Sequence, residues 1–105
     1  MQDERAFLTG LFEAAVAAAD PERALRAALP EKPAGRTVVI GLGKGAAQLA
    51  AAFERLWGDP VEGVVVTRYG YAAPCQNLRV MEAAHPVPEA AGLEASAAPV
   101  SYTHL

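Results

Sequence analysis

The stretch TVVIGLGKGAAQLAAAFERLWG, Thr37 to Gly58, sets a β-branched run against three glycines in five residues and then an alanine-rich helical pattern. Composition makes Thr37 to Ile40 a short buried strand. Ala46 to Trp57 reads as a helix with Leu49, Phe53 and Leu56 on one face. A strand that passes through glycines into a helix presents backbone N–H groups at the strand's carboxyl end. The helix N-terminus adds partial positive charge, so the turn favours an anion. Gly41, Gly43 and Gly45 let the chain turn tightly and let a ligand approach. Lys44 adds a full charge and three donors.

Two phosphate-binding patterns can be tested against this turn. The P-loop, G-x-x-x-x-G-K-[ST], fails on spacing, because Lys44 is followed by Gly45 and Ala46 with no hydroxyl for magnesium. The dinucleotide fingerprint G-x-G-x-x-[GA] fits as Gly41, Gly43 and Ala46. Its ribose-binding acid is missing, however. The second strand ends at Thr67–Arg68, and an arginine there suits a 2′-phosphate, which keeps an NADP reading open.

Working outward, Phe7, Leu8, Leu11, Phe12, Ala15 and Val16 recur on one helical face, with Asp3 as N-cap. Asp20 caps a second helix, which carries Pro21 at its first position and ends at Pro30. Glu62 to Thr67 (EGVVVT) is a second strand, whose unbroken valines imply burial on both faces. Leu78 to Ala83 is a third strand, and a last helix starts near Glu89. The order α-α-β-α-β-β-α predicts an α/β fold: a Rossmann-like, mostly parallel sheet with flanking helices. Three strands under so few helices leave open edges. Residues 1–98 are therefore expected to be the incomplete N-terminal part of a larger domain. The helical pattern is expected to stop at Pro99, and Pro99 to Leu105 (PVSYTHL) to be a tail foreign to the fold.

Two more loops leave strands at the carboxyl edge, where open parallel sheets bind ligands. TRYGY carries Arg68, whose guanidinium pairs bidentately with carboxylate or phosphate. AAHPVPEAAG carries His85, held extended by the prolines that follow it. Glu89 is placed to cap the last helix or reach a metal. Cys75 has no partner arrangement for catalysis and reads as packing. Gly41, Gly43, Gly45, Arg68 and His85 are thus the candidate substrate- and phosphate-binding residues. No metal site is expected.

Composition removes several function classes. About half of the 105 residues are apolar and the net charge is −3, with no basic patch, which argues against a nucleic-acid partner. One cysteine cannot form an internal disulfide, which points to a cytoplasmic protein. The N-terminus lacks the basic and apolar regions of a signal peptide, and no apolar run reaches the ~20 residues of a membrane span.

The segments GLGKGAAQLAAAFE, GVVVTRYGY and VMEAAHPVPEAAG, in this order and spacing, resemble the start of the glycerate 2-kinase family of the MOFRL type, some of whose members carry the name hydroxypyruvate reductase. The resemblance runs from about Val38 to Ser96. It implies roughly the first quarter of a two-domain enzyme with its active site in the cleft between domains. It implies phosphorylation of D-glycerate at the 2-hydroxyl, with ATP and Mg2+, and the remainder of the enzyme as a missing partner. The family's catalytic lysine falls on Lys44. Its arginine partner and its serine- and glycine-rich phosphate loop have no counterpart here. The chain departs from the family's Y-G-H at Tyr71 and from its H-P-V-P-D at Glu89. Two other readings stand beside the kinase: an NADP-linked reductase of hydroxypyruvate or another 2-hydroxy acid, and a small non-catalytic α/β interaction module.

Overall fold

In the computed structural model, residues 3–104 are described; Met1, Gln2 and Leu105, which the sequence reading assigned to the domain and to its tail, lie outside them. Two helices lead, α1 (Glu4–Ala18) and α2 (Pro21–Ala28). The Asp3 carboxylate accepts from the Arg5 N–H and that of Asp20 from the Arg23 N–H, so each helix starts at its expected cap. Then come β1 (Val38–Leu42), α3 (Ala46–Trp57), β2 (Glu62–Arg68), β3 (Arg79–Ala83), α4 (Ala90–Val100) and a 3-10 turn, Ser101–His104.

The three strands form one sheet in the order β1-β2-β3, parallel throughout. Val38 pairs with Glu62 and Leu42 with Val66; Val64 pairs with Arg79 and Arg68 with Ala83. All three strands therefore end at one edge. Val65 and Val80 are paired and pack with α3, whereas Ala83, of opposite parity to Val80, stands against Gly92 of α4. Helices thus cover both faces, which is why Val64 and Val65 are both fully buried.

The face that α3 turns inward is not the one its large residues suggest. Ala47, Ala50 and Trp57 join Val61, Val65 and Leu78 in the core, while Leu49 is 44% exposed. The small alanines let the helix lie close on the sheet; Trp57 is buried with them, Phe53 packs against this core, and Leu49 lies at its flank. Phe53 stacks on Trp57 with ring centroids 4.9 Å apart. Lys32 pairs with Asp59 at 2.6 Å, and Arg36 pairs with Glu62, at the amino ends of the strands. The apolar stripe of α1 meets no core: none of its residues is buried, and Phe12 is 69% exposed.

The last helix does not stop at Pro99. It continues to Val100 and tightens into the 3-10 turn. A proline in the last turn removes only its own N–H. The Ser101 N–H then donates to the carbonyls of Ala98 and Pro99, and its hydroxyl donates to the Ala98 carbonyl at 2.7 Å. These bonds satisfy carbonyls that a helix end leaves open.

Candidate functional site

β1 delivers the glycine–lysine turn to the carboxyl edge. Gly43 has φ +124°, a conformation that L side chains rarely adopt, and its N–H donates to the Val66 carbonyl at 3.1 Å. Gly41 answers a different need. A Cβ there would stand 3.3 Å from Val65 Cγ2 and 3.6 Å from the Ala46 Cβ, so the glycine lets β1 and the start of α3 come together. Gly45 is the N-cap of α3 at φ −94°, with open space around it and no side chain capping the helix. Its absence of a side chain leaves the first turn's N–H groups accessible.

Thr67 anchors the turn from the neighbouring strand. It is 3% exposed, and its hydroxyl donates to the Lys44 carbonyl at 3.2 Å. The Lys44 backbone is thereby tied to β2 while the side chain stays exposed. The sequence reading missed this residue. The clue was a threonine closing an otherwise all-valine strand.

Arg68 ends β2 and opens a turn closed by the Tyr71 N–H donating to the Arg68 carbonyl at 3.0 Å. Gly70 takes φ +83°, the third-position signature of a type II turn. The Arg68 guanidinium lies over the Tyr71 ring, 5.1 Å from its centroid. Tyr71 thus steadies the arginine through its ring face.

The His85 loop is latched to the same edge. The Tyr69 N–H donates to the Ala83 carbonyl at 3.1 Å, and the Ala84 N–H donates to Glu89 Oε1 at 3.0 Å. The Tyr69 hydroxyl bonds to the Glu89 carboxylate, and that bond, ahead of burial and the charges of Glu89 and Glu82, holds the phenol above its ordinary value. Glu89 occupies the N-cap position of α4, but its side chain does not cap the helix. The carboxylate turns back to close the loop instead. The His85–Pro86 peptide is cis.

Gly43, Lys44, Val66, Thr67, Arg68, Ala83, Ala84 and His85 surround one cleft of about 310 Å³. Lys44, Arg68 and His85, far apart in sequence, therefore meet at one place. Gly41 and Gly45 do not line this cleft. They face a neighbouring groove between the end of α1 and the turn. None of the described side chains lining the cleft is acidic. Among the described residues no three metal-ligating side chains come together.

Away from this edge, Glu54 on α3 gathers the N–H groups of Gln76, Asn77 and Leu78 at 2.9, 2.7 and 3.1 Å. Burial pushes its pKa up, but those bonds and one from Cys75 outweigh it, and the carboxyl is held below its ordinary value. Cys75 is half-buried beside it. Burial first, and then the Glu54 charge, push the thiol up to about 11. A thiol so disfavoured as thiolate is inert, which agrees with its packing role.

The family described as "Domain of unknown function (DUF4147)" matches residues 7–104. A putative hydroxypyruvate reductase of Agrobacterium vitis is 47% identical over 93 residues, which is 88% of this chain and 21% of that protein. The D-glycerate 2-kinase of Thermotoga maritima is 36% identical over 81 residues, 75% of this chain and 19% of that one. Among solved structures, a protein of Pyrococcus horikoshii aligns with a TM-score of 0.76 at 29% identity, over 99% of this chain and 26% of its own. A glycerate kinase of Thermotoga maritima aligns with a TM-score of 0.68 at 32% identity, over 81% of this chain and 21% of its own. The chain spans about a fifth of the length of the curated relatives it matches.

Proposed function

The chain belongs to the DUF4147 family, and from that premise we propose that it is the N-terminal segment of an enzyme that transfers the terminal phosphoryl group of ATP to the 2-hydroxyl of D-glycerate. The observation that carries this reading is the cleft where Lys44, Arg68 and His85 meet without an acidic side chain. Both substrates of such a reaction are anions. A phosphoryl-transfer transition state needs positioned positive charge more than covalent chemistry. Lys44, beside an uncapped helix N-terminus, supplies a full positive charge at that edge, as does Arg68.

The residues present fit a phosphate or a carboxylate. Lys44 and Arg68 would hold it, and ATP would supply the phosphoryl group. They do not fit magnesium, because none of the described side chains lining the cleft is a carboxylate. No step is assigned to the metal. The chain spans about a fifth of its relatives' length. The complete reaction accordingly belongs to the longer protein, and this chain by itself is inactive.

The test is glycerate-dependent ATP turnover by the uninterrupted polypeptide with Lys44→Ala. Turnover should fall on the order of 10²–10³-fold, the scale of removing one electrostatic donor. Lys44→Arg should recover little, because the guanidinium presents its donors differently. Near-normal kcat/KM in Lys44→Ala, with loss in Arg68→Ala, would move the essential cation to the second loop. The reductase reading has its own support in the Gly41–Gly43–Ala46 spacing and in the name of the Agrobacterium vitis relative. Thermal stabilisation by NADPH and not by ATP with magnesium would favour it over the kinase.

A further inference from the structure

β2 carries three valines in a row and then Thr67. Thr67 is 3% exposed, and among the described residues it is the one buried polar side chain. By alternation it shares a face with Val65, which packs in the core with Ala47 and Ala50 of α3. Valine has nearly the same shape, suits a strand as well, and buries no polar atom. Packing therefore does not account for the hydroxyl. What the hydroxyl does is donate to the Lys44 carbonyl at 3.2 Å.

That bond falls where the rest of the turn leaves a gap. The Leu49 N–H donates to the Gly45 carbonyl at 3.1 Å, so the backbone ladder of α3 starts one residue beyond Lys44. On the other side, the Gly43 N–H donates to the Val66 carbonyl, and the Gly43 carbonyl accepts from the Ala46 N–H at 3.2 Å. Backbone bonds thus hold Gly43 and Gly45. Lys44 stands between them, flanked by two residues of the widest conformational freedom. A peptide set between glycines reorients at little steric cost, and the lysine side chain would swing with it. The Thr67 bond removes that freedom from a rigid support, because β2 is the central strand of the sheet.

We propose that Thr67 is a positioning residue: its buried hydroxyl fixes the Lys44 peptide between Gly43 and Gly45, and so sets where the ammonium group stands in the cleft it shares with Arg68 and His85. Thr67 acts through the lysine and takes no part in the chemistry. A group that must meet developing charge has to be held within about 0.5 Å of its place. A misplacement of about 1 Å costs up to ~10²-fold in rate. The consequence for turnover rests on the kinase reading of the cleft. The consequence for the order of the turn does not.

Two variants of the uninterrupted polypeptide test both. Thr67→Val keeps the shape and removes the hydroxyl; Thr67→Ser keeps the hydroxyl and loses a buried methyl. Lys44 is exposed, so water takes up its carbonyl in Thr67→Val and the fold survives. Amide order parameters from nitrogen relaxation at Lys44 and Gly45 should stay near ~0.85 in the parent and in Thr67→Ser, and fall below ~0.6 in Thr67→Val. Glycerate-dependent kcat should fall about 10- to 100-fold in Thr67→Val and stay within about threefold of the parent in Thr67→Ser. Thermal stability should rank the other way, with Thr67→Ser the lower, a contrast that a purely structural role would not give. In a Lys44→Ala background, Thr67→Val should change kcat by no more than about twofold, because the group it places is gone. Unchanged order parameters in Thr67→Val would overturn the proposal, as would parental kcat there while Lys44→Ala is inactive. It would also fall if Thr67→Ser were as impaired as Thr67→Val, or if Thr67→Val failed to fold, since the hydroxyl would then hold the sheet rather than the lysine. Parental turnover in Lys44→Ala, with a disordered turn in Thr67→Val, would reject the role given to the lysine in the reaction and retain the tether.

Discussion

Gly63 is the position where one added methyl group should do the most damage. It lies in β2 opposite Val39 of β1 at φ +150°. A Cβ built there falls 1.8 Å from the Val39 carbonyl oxygen and 2.7 Å from its carbonyl carbon. Real Cβ contacts stay beyond 3.0 Å, so β1 must retreat by about 1.2 Å, or Gly63 must rotate to negative φ. Retreat stretches the β1–β2 ladder at the second of its five pairs. Rotation turns peptide groups away from their partners inside a buried sheet. Either course strands several backbone groups at ~1–3 kcal/mol each. Gly63→Ala should therefore cost at least about 4 kcal/mol, the range in which a single substitution is diagnostic. Two other glycines calibrate the scale. Gly58→Ala, at φ +80° in open space, should cost only the left-handed penalty of ~1–2 kcal/mol. Gly35→Ala, with no positive φ and nothing within 4 Å, should lie within about 0.5 kcal/mol of the parent. Urea unfolding of the parent and the three variants, followed by far-UV circular dichroism, reads all three. A Gly63→Ala variant within about 1 kcal/mol of Gly58→Ala would refute the reasoning, because the clash would then be relieved without loss of the ladder.

Glu54→Ala should destabilise by ~1–3 kcal/mol, since three backbone N–H groups lose a charged acceptor. The folded-state pKa of Glu54 is depressed below 4.5. Its contribution is therefore complete above that value and is lost as pH falls through the folded-state pKa. The gap between parent and variant in unfolding free energy should be constant at neutral pH and narrow below pH 4.5, and a gap that widens in acid would contradict the assignment. Cys75, pushed from 9.0 up to about 11, should react with iodoacetamide at pH 8 about 100-fold more slowly than an unperturbed thiol. Replacing Glu54 by Gln should speed that reaction, and alkylation as fast as that of free cysteine would show the thiol to be open.

The backbone of the fold was legible because its signals are local. The Asp3 and Asp20 caps, the glycines between β1 and α3 and the valine run of β2 each act within a few residues, and the structure follows them closely. What the sequence could not show was which face each helix would use. Leu49, Phe53 and Leu56 share a stripe, yet alanines carry α3 onto the sheet, because close approach rewards the smallest side chains. The stripe of α1 meets no core among the described elements, since none of the helix's residues is buried. The candidate cleft was legible as three loops at one edge. Its tethers were not, since the bonds from Thr67 to Lys44 and from Ala84 to Glu89 depend on how neighbouring segments meet. Pro99 misled for a simpler reason: a proline breaks a helix interior, but a last turn tolerates it.

Those tethers separate two jobs within the cleft. The backbone of each loop is held by its neighbour: Gly43 by Val66, Lys44 by Thr67, Tyr69 by Ala83, and Ala84 by Glu89. The charged side chains that line the cleft take no part in these bonds. Lys44, Arg68 and His85 are exposed, and Arg68 lies over the face of Tyr71. Side chains placed by tethered backbone are positioned without contributing much to stability themselves. Their heads stay exposed to solvent. Buried Thr67 is the opposite case. Its hydroxyl donates to the Lys44 carbonyl and so fixes the backbone next to the lysine's own Cα. Exposed charged groups and groups that hold the fold therefore alternate along the same loops. A cationic cleft of this kind can persist on so small a sheet because none of its charges is buried.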